Sequence, residues 1–152
     1  MPYFSWTSDM SVGLVRLDDD HKVLISIINR LADSLDNDLD NTTMEQAFRA
    51  LVRYTEIHFG REEAVLSAVN YTELTAHHDA HGQFVQDIIE MQKEFEVTSS
   101  VEKKLEVLDY LKNWLTSHIM IDDMAYMPFI TDSPKAVKAA ETFSAIGLWT
   151  QR

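Results

Sequence analysis

The sequence predicts an all-α fold: an antiparallel up-down four-helix bundle with an N-terminal arm and a short C-terminal extra helix. Three observations predict it. Glycine and proline number only four and three in 152 residues, so long unbroken helices are expected. Four blocks carry apolar residues at alternating steps of three and four, the spacing that lines one helix face. The links between blocks are short, and short links join antiparallel neighbours.

The first block runs from about Asp19 to Leu35, capped by Asp18 or Asp19, with His21, Leu24, Ile25, Ile28, Leu31 and Leu35 on one face. The acidic stretch Asp36 to Asn41 ends it, and Thr42 with Glu45 forms a capping box for the second block. Met44, Phe48, Leu51, Thr55, His58, Glu62 and Val65 then share a stripe up to a break at Asn70. A third block, about Thr72 to Phe95, aligns His77, His81, Phe84, Ile88, Met91 and Phe95. Its Gly82 costs about 1 kcal/mol without forbidding a helix. A capping box of Ser99 and Glu102 opens the fourth block, whose stripe is Val101, Leu105, Leu108, Leu111, Leu115 and His118. Ser133 and Pro134 start a shorter helix reaching about Ile146, with proline at the first helical position, where its missing N–H is harmless. Met1 to Leu17 reads as an extended arm anchored by Phe4, Trp6 and Val12. Residues 1–130 are expected to form the bundle and residues 131–152 a helical extension of the same domain.

Composition removes several functions. With 25 acidic and 13 basic residues the net charge is −12, a field that repels phosphate backbones, so no nucleic-acid partner is expected. The absence of cysteine excludes disulfides, thiolate metal sites, iron–sulfur clusters and thiol nucleophiles. Met1 to Ser11 lacks the basic and apolar segments of a signal peptide. No apolar run approaches the roughly 18 residues of a membrane span. A soluble, cytoplasmic protein with no membrane span is expected.

The positions of the histidines carry the chemistry. Of six, His21, His58, His77, His81 and His118 fall on the stripes that face the core, at least one per helix. His58 and Glu62, like His77 and His81, are four residues apart and so share a helix face. Asp123 follows His118 by five, which suits a carboxylate near a helix end reaching back toward the bundle axis. Seven buried polar groups without partners would be severely destabilising; coordination removes that cost. Imidazoles with carboxylates and no thiolate favour iron, manganese or zinc. Seven ligands exceed what one ion uses, whereas two ions bridged by two carboxylates fit the count and leave room for an exogenous ligand.

These residues resemble the bacterial hemerythrins. The resembling segments are Trp6 with Val12 and Gly13, Leu17 to Lys22, His58 and Phe59 with Glu62 and Glu63, His77 and His81, and Trp114 and Leu115 with His118, Ile119 and Asp123. They span residues 6 to about 126. The resemblance implies two iron ions joined by an oxo or hydroxo bridge. His77, His81 and His118 would hold the saturated iron, His21 and His58 the other, and Glu62 and Asp123 would bridge them. Dioxygen would bind end-on at the iron with two histidines. Leu24, Phe59, Trp114, Leu115 and Ile119 match the family's apolar ligand pocket, which slows loss of the bound ligand and irreversible oxidation; each is also an ordinary core residue by pattern.

Other residues are read plainly. His78, 100° round from His77, faces solvent or another helix. Asp122 is exposed and Glu63 superficial. Asp18, Asp19 and Asp20 cap and charge a helix N-terminus. The methionines fill core, and Tyr126 packs. In the tail, Val137, Ala140, Phe143, Ile146 and Trp149 form an apolar edge that either caps the bundle or contacts a protein partner or second subunit. The leading functional expectation is reversible dioxygen binding for storage, delivery or transport, not enzymatic turnover. An oxygen or redox sensor, and a di-iron oxidase, peroxidase or nitric-oxide scavenger, are the alternatives.

Overall fold

A computed structural model describes residues 2–36, 41–98 and 100–144, the side chains of residues 35, 36 and 41–43 excepted. The bundle consists of α1 (Val15–Asp36), α2 (Asn41–Ala68), α3 (Leu74–Val97) and α4 (Val101–Ser117). Helix four continues through one π-helical turn, His118–Asp123, into α5 (Met124–Ile130), and α6 (Pro134–Thr142) follows. Each bundle helix packs on its sequence neighbours, α4 closes the ring against α1, and α6 lies on α2 and touches α1.

The stripe from Met44 to Val65 is buried throughout, as are His21 to Leu31 on α1 and His77 to Phe95 on α3, apart from a half-buried Met91. Leu35, Ile146 and Trp149 belong to stretches outside the described side chains. Two apolar clusters result. One includes Phe48, Phe84, Ile88, Leu108 and Leu111; the other joins Val12, Leu17, Leu66, Tyr126, Ile130, Ala136 and Ala140. The buried acids Asp18, Asp20, Glu62 and Asp123 fall between them along the chain.

Several boundaries differ from expectation. Helix α1 starts at Val15, a turn earlier than expected, so Asp18 lies in its first turn. Its carboxylate instead accepts from the Val12 N–H (2.9 Å) and the Ser11 hydroxyl, fastening the arm. Gly13 between them has φ of +81°, and a Cβ there would meet Thr131 Oγ1 at 2.6 Å, so this turn requires glycine. The arm also holds a short 3₁₀ turn, Ser8–Met10. Phe4 exchanges two 2.8 Å hydrogen bonds with the Asn29 amide. Thr42 lies inside α2, and its side chain is outside those described. Ser100, not Ser99, caps α4, accepting from the Lys103 N–H at 3.1 Å. Val101 and Leu105 are exposed, whereas Val107 is buried: the α3–α4 turn projects past the core, and Val97 beside it is exposed too. Asn70 adopts the expected break, with φ of 54°. Ser133 caps α6 through the Ala136 N–H, as expected, and Ala136 and Ala140 face inward with Val137 outward. Among the described residues no helix is long and apolar enough to cross a membrane.

Candidate metal centre

All seven residues expected as ligands are buried and meet between the two apolar clusters. The Glu62 carboxylate is shared. Its Oε1 contacts His77 Nε2 and lies 3.0 Å from His81 Nε2; its Oε2 lies 3.2 Å from His58 Nε2 and 3.9 Å from His21 Nε2. Asp123 is shared the same way. Oδ1 is 3.2 Å from both His77 and His118 Nε2, and Oδ2 is 3.2 Å from His21 Nε2. The donors thus sort into two groups, three imidazoles on one side and two on the other.

The π-helical turn explains how Asp123 reaches the site. In an α-helix a residue five positions on lies about 140° round. Across His118–Asp123 the wider turn brings it back over His118. The spacing that looked slightly off one face is therefore on it.

A second ring of carboxylates holds the imidazoles from behind. His58 Nδ1 faces Asp20 at 3.0 Å, His81 Nδ1 faces Glu63 at 3.0 Å, and His118 Nδ1 faces Asp122 at 2.9 Å. Three readings are corrected here. Asp20 is no cap but a buried acceptor that also binds Arg61 and the Tyr54 hydroxyl. Glu63 is half-buried and meets His81, while Asp122 is exposed, as expected, and meets His118. Tyr126 does more than pack: its hydroxyl donates to Glu62 Oε2 at 2.9 Å. Sequence periodicity missed Asp20 and Glu63 because each sits one residue off its stripe. Asp122 stands four residues after His118, the same spacing that picked out Glu62. His78 is exposed, as expected, and meets Glu63.

These contacts assign the protons. An Nδ1 facing a carboxylate keeps its hydrogen, which leaves Nε2 as a lone pair. Yet His81 and His118 Nε2 stand 3.0 Å apart. Two lone pairs at that distance repel unless a proton or a metal ion lies between them. The Nε2 atoms of His21 and His58 and both Asp123 oxygens are buried without hydrogen-bond partners. Metal–nitrogen bonds of about 2.1 Å at right angles place neighbouring donors about 3 Å apart, the spacing seen. The donor set fits two cations, one among Glu62, His77, His81 and His118, the other among His21, His58 and Glu62.

Charge follows the same logic. Burial opposes ionisation of Glu62 and Asp123, yet the surrounding imidazoles hold both carboxyls below their usual range. Burial also opposes a second proton on His21 and His77, but Asp123 and Glu62 push both up to about 10. Without metal, protons bind where cations fit.

The expected pocket residues divide. Phe59 stacks face to face on His81 at 3.6 Å, and Trp114 stacks on His118 at 4.5 Å. Leu24, Leu115 and Ile119 are buried.

A helical bundle whose buried imidazoles and carboxylates aim at two points defines a cation-binding helical domain. The family model described as the hemerythrin HHE cation binding domain matches residues 12–130, and the chain belongs to the hemerythrin family. It is 29% identical over 133 residues to a bacteriohemerythrin of Pseudomonas aeruginosa, covering 88% of this chain and 85% of that protein. A hemerythrin-like protein of Naegleria gruberi is 30% identical over 123 residues, 81% of this chain and 90% of that one. The solved structure of a wild-type hemerythrin superposes with a TM-score of 0.74 at 23% identity, covering 85% of this chain and 98% of that one; this is a likeness of fold.

Proposed function

We propose that this protein binds dioxygen reversibly at a non-haem di-iron centre, as a storage, delivery or transport protein rather than an enzyme. The observation that carries it is the convergence of five buried imidazoles on two shared carboxylates, Glu62 and Asp123. In this reading His77, His81 and His118 would hold one iron, His21 and His58 the other, with Glu62 and Asp123 shared between the two. Such a pair supplies two electrons to dioxygen and recovers them on release.

The chain's own residues do the rest. Asp20, Glu63 and Asp122 fix the tautomers of His58, His81 and His118. Tyr126 donates to Glu62 and fixes the bridging carboxylate. Leu24, Phe59, Trp114, Leu115 and Ile119 keep water and protons away from the ligand. Tight burial of Leu24, Leu115 and Ile119 suits a diatomic ligand better than an organic substrate. Residues 131–144 extend this same domain, and a cysteine-free chain suits the reducing cytoplasm in which this reading places it.

The test is an anaerobic iron count on the reduced protein, then visible spectra on admitting air and after argon purging. Two irons per chain, with a charge-transfer band that appears with oxygen and fades on purging, are expected. Immediate conversion to a stable diferric form would overturn reversible binding, and fewer than two irons would overturn the di-iron centre.

A further inference from the structure

Tyr54, His58 and Arg61 stand at positions i, i+4 and i+7 of α2, one stripe facing α1. All three meet a single carboxylate. Asp20 accepts from His58 Nδ1 at 3.0 Å, from the Tyr54 hydroxyl at 2.8 Å, and from Arg61 through both oxygens. Asp20 is also the chain neighbour of His21, so it adjoins both histidines of the two-histidine group.

The clamp is dry. Asp20 is 1% exposed and Arg61 6%. A buried carboxylate needs a counter-ion, and removing one member of a buried pair leaves an expensive charge. That counter-ion reaches the tail: the Arg61 guanidinium lies 5.6 Å from the centre of the Phe143 ring, at the end of α6. Helix α6 packs along α2, where Arg61 sits. A continuous set of contacts therefore runs from Phe143 through Arg61 and Asp20 to His58.

We infer that Asp20 is the positioning residue of the two-histidine metal, and that α6 sets how firmly it holds His58 by covering Arg61 with Phe143. The role of the tail is then to tune one of the two metals. The inference rests on the two-metal reading. By fixing Nδ1–H on His58, Asp20 presents Nε2 to the metal and raises its basicity. The other two backing carboxylates, Glu63 and Asp122, stand behind the three-histidine group instead.

The test is cobalt(II) titration of the full-length, metal-stripped protein, followed by visible absorption, with zinc-loaded samples examined by histidine ¹H–¹⁵N correlation. Wild type takes up two equivalents; fewer would overturn the two-metal reading and this inference with it. Asp20→Asn weakens the second equivalent about 10–100-fold, changes the first less than about twofold, and shifts the Nδ1–H signal of His58 but not those of His81 and His118. Phe143→Ala weakens the same equivalent about two- to fivefold, the size of an exposed cation–π contact. Tyr54→Phe, which removes one bond and no charge, moves it the same way should Asp20→Asn not fold. Equal weakening of both equivalents, or no change with Asp20→Asn and Tyr54→Phe, overturns the positioning role. An unchanged second equivalent in Phe143→Ala overturns the part played by the tail.

Discussion

The two halves of the centre are built from the same residue types but differ in what stands behind them. The three-histidine half is backed by Glu63 and Asp122, side chains 24% and 50% exposed. Water reaches those carboxylates and screens their charge. Among the described residues the two-histidine half is backed by Asp20 alone, dry and matched to Arg61, while His21 Nδ1 is buried with no hydrogen-bond partner. Identical ligands are therefore held at unequal strength. A wet partner tolerates loss of a neighbour because solvent replaces it; a dry one does not.

The severest way to break the comparison is Glu62→Ala, which removes an oxygen from both halves. Metal content is expected to fall from two ions per chain to fewer than one, read by elemental analysis; retention of two would show that Glu62 is not shared. Next come the single-histidine variants. His118→Ala should lose the three-histidine metal and, with it, the pair, whereas His21→Ala should keep one firmly bound ion. Equal losses would mean that the halves do not differ.

Acid and base provide the third test, on stripped protein. His21 and His77 have their folded values raised to about 10 from 6.5. Their contribution is complete below pH 6.5 and disappears as pH rises through 10. Glu62 and Asp123 are depressed, so their contribution is present above about pH 4.5 and is lost on acidification. Thermal melts should peak between about pH 5 and 6.5 and decline toward pH 10. Metal replaces those protons, so the loaded protein should lack the alkaline decline; the same decline with and without metal would refute the assignment.

Leu115→Ala should cost about 2–5 kcal/mol of stability, keep both metals and shorten the life of the oxygenated form by admitting water. An unchanged lifetime would remove Leu115 from the pocket wall. The smallest effect belongs to Gly82→Ala beside His81. A Cβ there meets open space, so melts should rise by the equivalent of about 1 kcal/mol with both halves unaltered. A change in metal content would mean that α3 transmits strain to His81.

Much of this was legible in the sequence because burial follows period. The run from Met44 to Val65 repeats the 3.6-residue turn and is buried at every step, and His58 and Glu62 fall within it. What lay one residue off that period was not legible. Asp20 and Glu63 point sideways toward a neighbouring helix, and only packing shows which neighbour is there. Clustered acids before a helix look like caps, since the same carboxylate that accepts from an imidazole also suits a positive helix end. Val101 and Leu105 kept the helical spacing but extend beyond the partner helix that would have covered them. The π-helical turn has no compositional mark: His118–Asp123 reads as ordinary helix.

That turn also makes the gene's tolerance of lost length depend on place. It amounts to one extra residue inserted in helix four. Deleting the exposed Met120 would remove no ligand and no core side chain; it would return the segment to α-helical turns with Asp123 four residues after His118, about 40° round and still on the inner face. The same deletion in the regular helix before the turn would rotate everything downstream by about 100°, swinging Asp123 away and taking Tyr126 and Ile130 out of the second apolar cluster. A codon-length deletion should therefore be tolerated within the turn and do as much harm as losing a ligand just outside it.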